Sequence, residues 1–65
     1  MEARSRNQWN LAVQRALAQL GYYHGPVDGV VGQRTVKAIR WFQSIDSVPV
    51  TGEIHSATLR ALRIG

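Results

Sequence analysis

Residues able to do acid–base or nucleophilic chemistry are few in this 65-residue chain, and their spacing argues against catalysis. Its four acids, Glu2, Asp28, Asp46 and Glu53, lie in four different segments, without the paired-carboxylate arrangement that glycoside hydrolysis needs. His24 and His55 would have to meet Asp28 or Glu53 to hold a metal, and their spacing matches no helical ligand motif. No metal or other cofactor is therefore expected. Ser5, Ser44, Ser47 and Ser56 lack the strand-to-helix elbow that exposes a nucleophilic serine. The absence of cysteine removes thiolate nucleophiles, disulfides and cysteine metal sites together.

Binding chemistry is better supplied. Arg34, Lys37 and Trp41 recur at helical spacing, off the apolar stripe of their own segment, so the indole is expected to be at least partly exposed beside two cations. Such a face offers a platform for a sugar or peptide and a pair of cations for a carboxylate; alternatively, the ring covers Arg34 or Lys37 or rests on a neighbouring segment. Tyr22, Tyr23 and His24 follow on a loop, where one tyrosine is expected to pack inward while the other shows its ring to solvent, able to stack on a sugar. Asp28 precedes Gly29, so its carboxylate either accepts backbone N–H bonds in a turn or contacts ligand. Gln14 and Gln43 each sit one place after a core position, Val13 and Phe42, and are expected to bind backbone groups of the loops.

Three helical segments must position these groups. In the first, Trp9, Val13, Ala16, Leu17 and Leu20 form an apolar stripe that Gly21 ends in a left-handed stop. The second is expected over about 33–45, with Thr35, Ala38, Ile39, Phe42 and Ile45 on one face, and the third over about 56–63, burying Leu59 and Leu62. A turn-plus-helix pattern occurs twice: residues 28–39 and 51–62 share Gly, an aliphatic residue two places on, then Thr, a basic residue, Ala and a final aliphatic. Gly29 and Gly52 can reverse the chain at positive φ, Val31 and Ile54 would anchor the turns, and Gly32 and His55 would be the N-caps. Thr35 and Thr58 then fall in the first helical turn, where a hydroxyl can satisfy backbone groups. Pro49 forbids helix in the link 48–52, and the polar residues 1–8 read as a flexible extension ahead of a domain over 9–65.

Size and charge bound the rest. A domain of this length buries only about 60% of its unfolded surface, so a deep cleft is not expected. The net charge of +4 favours acidic partners such as nucleic acid, anionic lipid or an anionic wall polymer, although scattered basic residues also serve simply as a solvated surface. No run is apolar enough to span a membrane, and without a charged-then-apolar leader any export signal is expected on other sequence.

Taken together, the segments Val13-Gln14-x-x-Leu17-x-x-Leu20-Gly21-Tyr22-Tyr23, Val27-Asp28-Gly29-x-x-Gly32-x-x-Thr35-x-x-Ala38-Ile39-x-x-Phe42-Gln43 and Val48-Pro49-Val50-Thr51-Gly52 resemble the bacterial peptidoglycan-binding domain of the type 1 family. The resemblance runs from about Trp9 to Leu62. It implies an all-α, compact three-helix module, monomeric and non-catalytic, that tethers a covalently linked hydrolase or other envelope protein to murein in the bacterial cell envelope, or serves a phage endolysin. Three positions depart from the pattern: Ser47 stands where glycine commonly ends the second helix, His55 where Asp often precedes the third, and Asn10 at an aliphatic position whose packing Trp9 would take over. Two other readings stay open. One is a protein-interaction or pro-region module of the same fold, which would lack the inhibitory cysteine known there. The other is a basic three-helix nucleic-acid reader using Arg34, Lys37, Arg40 and Trp41, against which stand the Gly-rich turns.

Overall fold

The computed structural model describes the backbone of residues 2–64 and the side chains of residues 8–64. Three helices follow in order, α1 (Glu2–Leu20), α2 (Gln33–Ile45) and α3 (Ser56–Ala61), and the described residues contain no strand. The all-α three-helix architecture expected from the apolar periodicity is the one observed. Helix α1 starts at Glu2, well before the first apolar position at Trp9. Helix α2 occupies its expected span, and α3 stops two residues short of it.

The core is small and continuous: Val13 and Leu17 of α1, Tyr23 of the first loop, and Ala38, Ile39 and Phe42 of α2. Ile54, Leu59 and Leu62 pack against it half-buried. Three residues expected in the core are not there: Leu20 is 58% exposed, Ile45 61% and Val31 37%. For Leu20 and Ile45, at the ends of α1 and α2, the reason is length. A helix of six residues spans about 9 Å at 1.5 Å per residue, so α3 cannot cover the last residues of both longer helices. Trp9 is likewise 40% exposed, outside the stripe it was expected to head.

Each helix ends in the same way. After α1, the N–H of Tyr22 returns to the Leu17 carbonyl at 2.9 Å and that of Gly21 to Ala18 at 3.1 Å, the paired bonds of a Schellman motif around a left-handed residue. Val48 bonds back to Gln43 around Ser47, and Ile64 to Leu59 around Arg63. Gly21 carries its φ of 90° freely, whereas Ser47 (φ 60°) and Arg63 (φ 62°) hold a conformation that costs an L-residue about 1–2 kcal/mol. The departure at Ser47 therefore keeps the backbone geometry that glycine would adopt.

The loops are organised by two buried glutamines, both fully inaccessible. Gln14 Oε1 accepts the N–H groups of Asp28 at 3.0 Å and Gly29 at 2.9 Å, while its Nε2 donates to the Val30 carbonyl at 2.8 Å and the Thr35 hydroxyl at 3.1 Å. Gln43 repeats this in the second copy. Its Oε1 accepts from Thr51 and Gly52, both at 2.9 Å, and its Nε2 donates to the Glu53 carbonyl at 3.1 Å and the Thr58 hydroxyl at 2.9 Å. The glutamines thus bind loop backbone as expected. The threonines do something different from the first-turn capping expected of them: buried at 1% and 0% exposure, they receive the glutamine amide. Gly32 and His55 are the N-caps, neither with a side-chain capping bond.

Two stability outcomes follow from these contacts. Ser47→Gly relieves the left-handed penalty and should stabilise the domain by about 1 kcal/mol, raising Tm by roughly 4–8 °C; an unchanged melt would show that the serine is not strained. Gln14→Met or Gln43→Met keeps the volume but strands two loop N–H groups at about 1–3 kcal/mol each. Urea unfolding should then show a loss of about 3 kcal/mol, a large share of what so small a domain has, and a loss under about 1 kcal/mol would mean that water replaces the amide.

Candidate functional site

The site is built on the face of α2 that looks away from the latches. Because Arg34, Lys37, Ala38 and Trp41 recur every three or four residues, they share one side of the helix, and the loop after α1 runs alongside it. Together they enclose a shallow groove of about 260 Å³, with Tyr22, Tyr23, His24 and Gly25 forming the loop wall. Six of the seven residues expected at a binding surface are thereby assembled: Tyr22, Tyr23, His24, Arg34, Lys37 and Trp41.

Asp28 is the exception. It lies in a neighbouring concavity with Pro26, Val30 and Gly32, and its Oδ1 accepts the Val30 N–H at 2.9 Å. Of the two roles open to it in the sequence, the turn is the one its geometry fills. Thr51 matches it in the second copy, its hydroxyl accepting the Glu53 N–H at 3.1 Å.

The groove wall is rigid for reasons that reach into the core. Tyr23 is buried, and its hydroxyl donates to the Pro26 carbonyl at 2.6 Å, closing the loop over its own ring. A Cβ on Gly25 would come within 2.7 Å of that hydroxyl oxygen, so only glycine fits there. Tyr22 does not show a free ring to solvent as one tyrosine was expected to; it is wedged edge-on between Trp41, at 4.7 Å and 86°, and buried Phe42, at 5.7 Å and 80°. Trp41 remains 52% exposed, in line with its position off the stripe, and rests on Tyr22. Edge-to-face pairs of this kind contribute about 0.5–1.5 kcal/mol, enough to hold the indole at one angle to the groove.

Charge is one-sided here. Arg34 and Lys37 line the groove and no acid does. Among the described residues no three His, Cys, Asp or Glu side chains come together as a metal site, and no helix is long and apolar enough to cross a membrane.

Some contributors were not singled out in the sequence. Asn10, expected to lose a packing contact to Trp9, instead donates from Nδ2 to the Gly29 carbonyl at 3.0 Å and so holds the first turn from a second side. Gly25 was part of a Gly-Pro loop with no visible reason for its lack of side chain, because the ring it must accommodate becomes its neighbour only on folding. Ala38, expected on the apolar face of its helix, is also part of the groove.

A family model described as "Putative peptidoglycan binding domain" matches residues 11–62. Similar curated proteins include "Localization factor PodJL" of Caulobacter vibrioides, 45% identical over 85% of this chain and 6% of that protein. They also include "Putative OxPP cycle protein OpcA" of Synechococcus elongatus, 48% identical over 77% of this chain and 11% of that protein, and its namesake in Nostoc punctiforme at 42% with the same coverage. The chain therefore spans only 6% to 11% of the length of these relatives. No solved structure matches it.

If the tyrosine wedge sets the groove, Gly25→Ala should displace the Tyr23 ring and broaden or shift the amide NMR signals of residues 22–26. Trp41→Ala should leave those signals sharp and cost only about 0.5–1.5 kcal/mol, the worth of its contact with Tyr22. A larger loss would place Trp41 in the core.

Proposed function

For a chain that belongs to the peptidoglycan-binding domain family, we propose a non-catalytic adhesion module that holds a larger protein against murein through the groove between the first loop and α2. The observation that carries this reading is the groove itself: an exposed indole on a rigid aromatic wedge, beside two cations with no acid among the lining residues. Adhesion of this kind needs no reacting group. It raises the local concentration of whatever is joined to the module, which fits a chain that matches only a small part of its relatives. The setting in this reading is the bacterial cell envelope.

A second reading has specific support. The names of the relatives speak of a localization factor and an OxPP cycle protein, neither of them of the wall. The same scaffold would then present its groove to a protein segment. A nucleic-acid role has less behind it, since Arg40 lies away from the groove and packs by Gly52 instead.

Retention on insoluble peptidoglycan, with chitin and DNA-cellulose as controls, separates these readings. The domain should be held on peptidoglycan above both controls, more weakly as ionic strength rises because exposed charges are screened, and much less as Trp41→Ala. Equal retention on DNA-cellulose, abolished by moderate salt, would mean unspecific charge attraction. Retention on none of the three would favour a protein partner.

A further inference from the structure

The internal repeat supplies a control for what the fold itself requires. Both copies keep the glutamine latch, the positive-φ glycine and the buried threonine. They also keep a small residue at the sixth helical position, Ala38 in one and Ala61 in the other. They differ on the outward face. Where α2 has Arg34, α3 has Ala57, and α3 ends at Ala61, before it could carry a counterpart to Trp41. The arginine and the tryptophan are thus not demanded by the turn-plus-helix unit.

What they face narrows the ligand. The acids with described side chains stay out of the groove: Asp28 lies in the next concavity, which Arg34 also lines, with its Oδ1 bonded to backbone, Asp46 lies beside Leu20 and Arg63, and Glu53 is on the second loop. At about 260 Å³ the groove falls below the roughly 300–1,000 Å³ of cavities that enclose a whole small molecule, so it suits the end of a chain. Its lining combines aromatic and aliphatic surface, from Trp41, Tyr22 and Ala38, with the cationic groups of Arg34 and Lys37. In peptide-bearing murein the lactyl carboxyl of the glycan is taken up in the amide to the stem peptide, whereas the stem peptides end in free carboxylates next to small side chains.

We propose that the groove receives the free carboxylate end of a short peptide, with the carboxylate between Arg34 and Lys37 and the small terminal side chain against Trp41 and Ala38. Resting on the adhesion reading, this assigns recognition to the stem peptide and leaves the glycan as the tether it hangs from. Hydrogen bonds between a guanidinium or ammonium and a carboxylate are about twice as strong as neutral ones, so loss of the charge should be felt as a large change in affinity.

The test uses blocked tripeptides ending in Ala-Ala, one with a free carboxylate and one amidated, with chitotetraose as the sugar probe, each titrated into the domain and followed by amide NMR shifts. The acid should move signals of Tyr22, Arg34, Lys37 and Trp41 and bind about tenfold more tightly than the amide. The exposed pair Arg34→Gln with Lys37→Gln should erase that difference while leaving the melt unchanged. Equal binding of acid and amide, or shifts at these residues with chitotetraose alone, would overturn the proposal. Retention on intact sacculi in the presence of each soluble tripeptide distinguishes the two levels. Release by the free acid and not by the amide supports peptide recognition, and equal retention with both sinks it while adhesion stands. Failure on intact sacculi removes the adhesion reading, and the peptide titration then decides alone.

Discussion

Two buried primary amides hold this domain in shape. A glutamine side chain inside a protein needs partners for both ends of its amide, since an unsatisfied polar group in a dry interior costs several times what a made hydrogen bond contributes. Gln14 and Gln43 find theirs in the backbone of loops 14 and 8 residues further along the chain, and no buried polar side-chain atom among the described residues is left without a partner. The dependence is mutual. The loop N–H groups at Asp28, Gly29, Thr51 and Gly52 belong to no helix, and the glutamine oxygens are what satisfy them. With six buried apolar residues in the core among the described residues, and no disulfide, this amide pairing gives loops the definition that packing alone would not.

That definition is what makes a site possible. With the first turn pinned from one side by Gln14 and from another by Asn10, residues 21–27 are held at both ends, and the Tyr23 hydroxyl closes them on Pro26. Tyr22 is thereby delivered to Phe42 on its buried side and Trp41 on its exposed side. The aromatic wedge connects core to surface through rings packed edge to face, so the wall of the groove is formed by the fold itself. The same economy shows at the helix ends, where three Schellman turns return the chain within two residues, two of them against the preference of the residue that occupies them.

The repeated turn-plus-helix unit also separates scaffold from surface. Shared positions are those that the latch, the turn and the helix approach require. Arg34, exposed on α2, stands against half-buried Ala57 on α3, so the shared device does not fix that position. A small fold built twice from one device can thus carry a binding face on one copy without loss of structure in the other.

Much of this was written in the chain. The spacing of Val13, Leu17, Ala38, Ile39 and Phe42 determined the helices and their inner faces, and Gly21, Gly29 and Gly52 marked the reversals, because periodicity and positive φ are local properties. Arg34, Lys37 and Trp41 could be placed on a common face for the same reason. Tertiary structure alone decided the rest. That Thr35 and Thr58 serve a glutamine rather than their own helix, that Tyr22 is gripped while Tyr23 is buried, and that Gly25 must lack a side chain all depend on groups distant in sequence arriving at one point. The exposure of Leu20, Ile45 and Val31 was hidden likewise. A stripe announces which face of a helix is apolar, but only the length and placement of the neighbouring element determine how much of that face is covered.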